Sequence, residues 1–334
     1  HYIIHAYDSP ALAERALVAA NHYGEITPRV PHATHMMTHI YTRLGQWAKA
    51  VEWNTISADS AWALCLEYGE INVHYTHALD YLAYAYLQTG EDREAGRILK
   101  TAEQLQPPYS ETSRSATAYA FAALPARYAL ERRDWEAAAQ LEPRMPSSFP
   151  WTKAHDPYVA ITHFARALAM SNLGRPEDAS ADIDALRALR ISVASDNPYW
   201  AQQIEIQELA ARAWQGFSRG EVESAIEVMQ QAAALEASTD KHAVTPGEVL
   251  PAAELYGDML LAAGRHEQAL AAYRSALQRA PLRLNSLYGA GKAAVGVGDD
   301  VMAKAYFVEL LSITSGAEEP RSRIREIRAF MKTG

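Results

Sequence analysis

The sequence predicts an all-α protein, a right-handed α-solenoid of stacked antiparallel helix hairpins. Three observations predict it. Helical periodicity dominates, with no period-2 strand run of note. Two C-terminal segments align without a gap at a step of 34 residues. Small residues, a turn glycine and an aromatic recur in fixed slots of each unit.

The elements follow in order along the chain. "HYIIHAYD" opens it as a helix carrying His1 and His5, with Asp8 at its end. Ser9 and Pro10 then predict an N-cap and first helical position for the next helix, with a loop at 24–31. "HATHMMTHIYTRLGQWAKAVEW" supplies Tyr41, Gly45 and Ala50 to the slots. "HALDYLAYAYLQTGEDREAGRILKTAEQLQPP" supplies Ala83, Tyr86, Gly90, Ala95, Ala102 and Pro107. A weaker unit around Ala126 and Ala138 has Arg133 where the turn glycine belongs. The next two place Gly174 and Gly220 at their turns, and a loop follows at 237–248. The last two units are the aligned pair: Gly257 maps to Gly291, Gly264 to Gly298, Ala269 to Ala303 and Tyr273 to Phe307. The small residues let paired helices approach, the glycine permits the turn, and the aromatic fills the gap between neighbouring hairpins.

This slot pattern resembles the tetratricopeptide repeat superfamily, in its bacterial type, here with a histidine-rich N-terminal third. The resemblance covers nearly the whole chain. It implies N-terminal units over 1–142, a Pro/Ser-rich junction at 143–157 and C-terminal units over 158–334. It also implies that the first helix of each unit lines a concave groove, through residues about 13, 10 and 6 positions before the turn. Counting back from Gly45 gives His32, His35 and His39; counting back from Gly90 gives His77, Asp80 and Tyr84. Such repeats serve many roles, so the resemblance indicates fold more than function.

Histidines three and four residues apart share one helix face. Six of the twelve, His1, His5, His32, His35, His39 and His77, fall on the expected groove face of the first three units. The corresponding slots of later units are mostly apolar. Imidazole and carboxylate without thiolate suit Zn, Fe, Mn, Ni or Cu rather than Ca or Mg, and an i, i+4 pair can chelate one ion from a single helix. The expected metal ligands are those six histidines and Asp80. Asp8, Asp80 and Tyr84 are the candidate catalytic groups. One ion or two fit the count, and an open position would activate water or O2.

A net charge of -9 argues against nucleic acid or an anionic membrane as partner. The lone Cys65 excludes intrachain disulfides and thiolate-rich metal sites. No segment has the roughly 20 apolar residues of a membrane span. The chain reads as a soluble protein of cytoplasm or periplasm, and its start at His1 reads as a fragment or processed chain. There is no phosphate-binding glycine loop, nucleophile elbow or dinucleotide fingerprint. Two functions follow. One is a metalloprotein, as an enzyme hydrolytic or oxidative, with a divalent transition metal (Zn, Fe, Mn or Cu) in the groove. The other is a non-enzymatic scaffold whose groove takes a peptide or partner protein; across the two, the expected occupant of the groove is a small-molecule or peptide ligand. The open ends of such an array offer a route to a homo-oligomer.

Overall fold

The computed structural model describes residues 1–26, 29–112 and 114–333, apart from the side chains of Glu25 and Thr333. Its helices are α1 Tyr2–Ala6, α2 Leu17–Ile26, α3 Pro31–Arg43, α4 Trp47–Tyr68, α5 Val73–Thr89, α6 Asp92–Glu103, α7 Arg114–Glu131, α8 Trp135–Ala139, α9 Asp156–Asn172, α10 Ser180–Val193, α11 Pro198–Ser218, α12 Val222–Ala237, α13 Ala252–Ala262, α14 His266–Arg279, α15 Leu284–Gly296, α16 Asp300–Ile313 and α17 Ser322–Thr333. From α3 to α16 they pack as consecutive hairpins, each against the next. The architecture is an all-α solenoid, tetratricopeptide-like in its repeat. No helix among the described residues is long and apolar enough to cross a membrane.

Every turn residue expected from the repeat is left-handed, at φ 66° (Gly45), 72° (Gly90), 71° (Gly174), 86° (Gly220), 73° (Gly264) and 80° (Gly298). Arg133 takes the same conformation at φ 56° without being glycine, at a cost of about 1–2 kcal/mol. Its guanidinium offsets that cost by donating to Glu254 and Asp258 across the molecule. The small-residue slots also behave as the pattern demands. A Cβ on Gly257 would lie 2.8 Å from the Tyr273 ring, and one on Gly291 2.1 Å from the Phe307 ring.

The first hairpin departs from expectation. Pro10 does not open a helix. The carbonyl of Ser9 accepts the N–H groups of Leu12 and Ala13 in a turn. A short 3-10 segment, Ala13–Ala16, then leads into α2. The expected loop at 24–31 is helical to Ile26, while Thr27 and Pro28 lie outside the described residues. Gly24 signals close packing here rather than a turn, since a Cβ on it would meet Met37 and Trp53 within 2.6 Å.

The array also comes round onto its own beginning. Trp47 Nε1 donates to the carbonyl of Leu282 at 2.9 Å. Arg283, fully buried, joins Glu131, Glu254 and the Tyr84 hydroxyl. Arg321 binds Asp92 and the carbonyls of Leu87 and Glu131. The segment between α12 and α13 enters the concave side. The Tyr81 hydroxyl donates to the carbonyl of Thr245 at 3.0 Å, and Arg127 donates to those of Gly247 and Glu248. Beside the N-terminal units the groove is therefore filled by the chain itself. Farther along, where Ile161, Phe164, Gln207 and Ala210 face it, a cavity of about 50 Å³ remains.

Candidate metal centre

Local sequence sets each histidine in place. Pro31 begins α3 after an extended Val30, as the residue before proline prefers. His32, His35 and His39 then follow on one face. Asn72 caps α5, its Oδ1 accepting the Tyr75 N–H at 3.1 Å, and its Nδ2 bonds back to the carbonyl of Ala61 on α4. This fixes the level at which His74 and His77 meet α3. Helix α1 lays His1 and His5 beside His32.

Two groups of imidazoles result: His35, His39 and His77 within, and His1, His5 and His32 nearer the surface. In each group one ring nitrogen per histidine lies within 4.8 Å of the others. In the inner group the protons can be assigned. Asn54 Nδ2 donates to the carbonyl of Ala50 at 2.8 Å, which aims Oδ1 at His35 Nδ1, also 2.8 Å away. That nitrogen must therefore carry the proton. His39 Nδ1 sits 2.9 Å from Asp8 Oδ2 and 3.1 Å from the Tyr81 hydroxyl, whose own proton goes to Thr245. So His39 is also protonated at Nδ1. The two Nε2 atoms then face each other at 3.1 Å, lone pair to lone pair. Two neutral imidazoles so placed leave both lone pairs without a donor, an arrangement that a shared cation would satisfy.

Protonation of these rings is disfavoured. Burial, with His77 and His39 as neighbours, pushes His35 well below the ordinary histidine range. Burial and His39 do the same to His77. His39 is lowered by burial even with Asp8 beside it. His32 falls to about 4 through burial and the nearby His74, His39 and His5. Burial alone would raise Asp8, but Lys241, His39 and Arg43 hold it far below the usual carboxylate range. Lys241 Nζ lies 2.7 Å from Asp8 Oδ2, and Arg43 Nε 3.0 Å from Oδ1. The result is a set of neutral nitrogen donors supported from behind by an ionised carboxylate. Histidine metal ligands are commonly held this way, the far ring nitrogen donating to a carboxylate or carbonyl oxygen.

The other expected site residues have different partners. Asp80 joins neither donor group: Arg127 Nε occupies its Oδ1 at 3.1 Å, and both side chains are fully buried. Sequence placed it on the right face, but a buried cation from α7 takes it. Tyr84 is likewise turned to structure, its hydroxyl accepting from Arg283 at 3.0 Å. Asp8 touches His39 at Nδ1, on the side away from the facing Nε2 atoms. Four residues escaped the sequence reading. Tyr81 stands four after His77 and Arg43 four after His39, so periodicity could have found both. Asn54 and Lys241 had no local signal, since only folding brings them near.

No protein-family model matches the chain, and no curated protein matches it. Among solved structures it is similar to the tetratricopeptide domain of P58(IPK), at 13% identity and TM-score 0.32 over 97% of each chain. It is also similar to yeast Tom70, at 12% identity and TM-score 0.28, covering 96% of this chain and 85% of that one. Superpositions this loose leave the fold resting on the hairpins' own geometry.

Proposed function

We propose that the chain is a helical-repeat metalloprotein, and a metal-dependent enzyme, that holds a transition ion on His35, His39 and His77. The facing Nε2 lone pairs, with both Nδ1 protons fixed by Asn54 and Asp8, carry this reading. Two nitrogens bound to one tetrahedral ion at 2.0–2.1 Å stand about 3.3 Å apart, close to the 3.1 Å found here. Three neutral imidazoles suit Zn, Cu or Fe and leave a position open. A water there would be acidified for hydrolysis, or O2 bound for oxidation. Asp8 strengthens His39 as a donor. The alternative, a scaffold gripping a peptide beside these histidines, is disfavoured because residues 245–248 occupy that part of the groove.

The test is elemental analysis of protein purified without an affinity tag, wild type against His35→Ala/His39→Ala. A near-stoichiometric transition ion in the wild type, lost in the variant, is the expected result. A metal-free wild type whose melting temperature ignores added Zn, Fe, Mn and Cu would sink the reading.

A further inference from the structure

We infer that His1, His5 and His32 form a second ion site, so that the protein carries two neighbouring transition ions, one enclosed and one at the surface. The inference rests on the reading of the inner triad as a metal site, but its donors are separate. The rings of His1 and His5 lie 4.8 Å apart by centroid and are nearly perpendicular at 76°. The His1 and His32 centroids are 5.1 Å apart, those of His5 and His32 6.4 Å. One nitrogen from each converges within the same 4.8 Å limit as in the inner group. Among the described residues none of these three rings has a hydrogen-bond partner, although His32 stands beside the His74 ring at 5.6 Å. The donors are thus gathered but not engaged with one another. Ordinary surface histidines have no cause to gather from two separate helices.

Burial divides the two positions. His35 and His39 are buried, whereas His5 is exposed. The groups adjoin through His5 and His39, whose ring centroids are 5.9 Å apart. An outer ion would therefore stand over the mouth of the inner site and exchange with solvent faster. Ligand chemistry narrows the ion. Among the described residues no carboxylate belongs to either donor group. The carboxylate behind the inner group, Asp8, is already matched by Arg43 and Lys241. A site of neutral nitrogens with no anionic donor favours the imidazole-seeking copper and zinc class over Mn, Mg or Ca. Two such ions side by side suit a small ligand able to bridge them, such as hydroxide or O2.

The experiment is titration of metal-stripped protein with Zn(II) against a chromophoric chelator, repeated with Cu(I) under reductant. The proteins are wild type, His5→Ala/His32→Ala and His35→Ala/His39→Ala. Wild type should bind two ions per chain and each variant one. His5 is exposed and His32 half-buried, so the outer variant should remain folded, with a metal-free melting temperature lowered by no more than that of the inner variant. One ion in wild type and one in His5→Ala/His32→Ala would overturn the outer site and leave the inner one standing. One ion lost only in His5→Ala/His32→Ala would instead overturn the inner reading. No tight ion in any protein overturns both.

Discussion

At the scale of single residues, the inner triad depends on who holds the far side of each ring. Asn54 fixes the tautomer of His35 through one 2.8 Å contact. Asn54→Leu should therefore weaken metal binding by about 10–100-fold, as loss of such supporting partners does, while His35, His39 and His77 all remain. Competition titration reads this directly. Asp80 makes the opposite prediction. Its removal in Asp80→Ala strands the buried Arg127 and should cost about 3–5 kcal/mol in chemical denaturation. The number of bound ions should not change. A lost ion in a folded Asp80→Ala would restore it as a ligand. Helix periodicity revealed both Asp80 and the histidines, because face is a local property. It could not reveal partners, because Arg127 stands 47 positions away and Lys241 stands 233 from Asp8.

At the scale of elements, α3 and α5 gather five imidazoles that the fold keeps neutral. This gives a pH dependence whose sign is fixed. His32, His35, His39, His74 and His77 have pKa values depressed in the folded state. The unfolded chain, near the ordinary 6.5 or so, takes up protons first as pH falls. Their contribution is intact above that value and is lost below it, down toward the folded value of about 4 for His32. The melting temperature of metal-free protein should drop steeply between about pH 6.5 and pH 4, and bound metal should delay that drop. A flat profile would mean the rings are solvated. The turn residues were legible in the sequence for the same local reason as the helix faces. Even Arg133 kept the backbone of the glycine it replaces. The first hairpin was not legible, because Gly24 marks a helix crossing and the pattern alone cannot separate that from a turn.

At the scale of the molecule, the repeat predicts units stacked on neighbours, and the structure adds closure between distant ones. Arg283 spans Tyr84, Glu131 and Glu254. Arg283→Met leaves buried Glu131 without its cation and Glu254 with Arg133 as its one remaining cation, and should cost about 3–5 kcal/mol. It should also change how the chain unfolds. An open array yields segment by segment, whereas this one should lose hydrogen-exchange protection in α3–α5 and α13–α17 together. In Arg283→Met the two regions should exchange at separate rates. Equal rates in the variant would show that closure does not couple them. Closure was invisible beforehand because it joins residues some 200 positions apart through side chains that look like ordinary surface charges.

The return of the array onto its start bears on which ion the histidines accept. An open solenoid behaves as a spring, and thermal bending changes the spacing between its first helices. Fastening the far end across the turns at Gly45 and Gly90 removes that elasticity. The donor nitrogens would then be presented at a spacing that an arriving ion cannot readily adjust. If the proposed site binds metal, then among ions of similar appetite for imidazole the one whose bond lengths already match would be retained, and a contact 235 positions along the chain from Trp47 would act as a gauge for it.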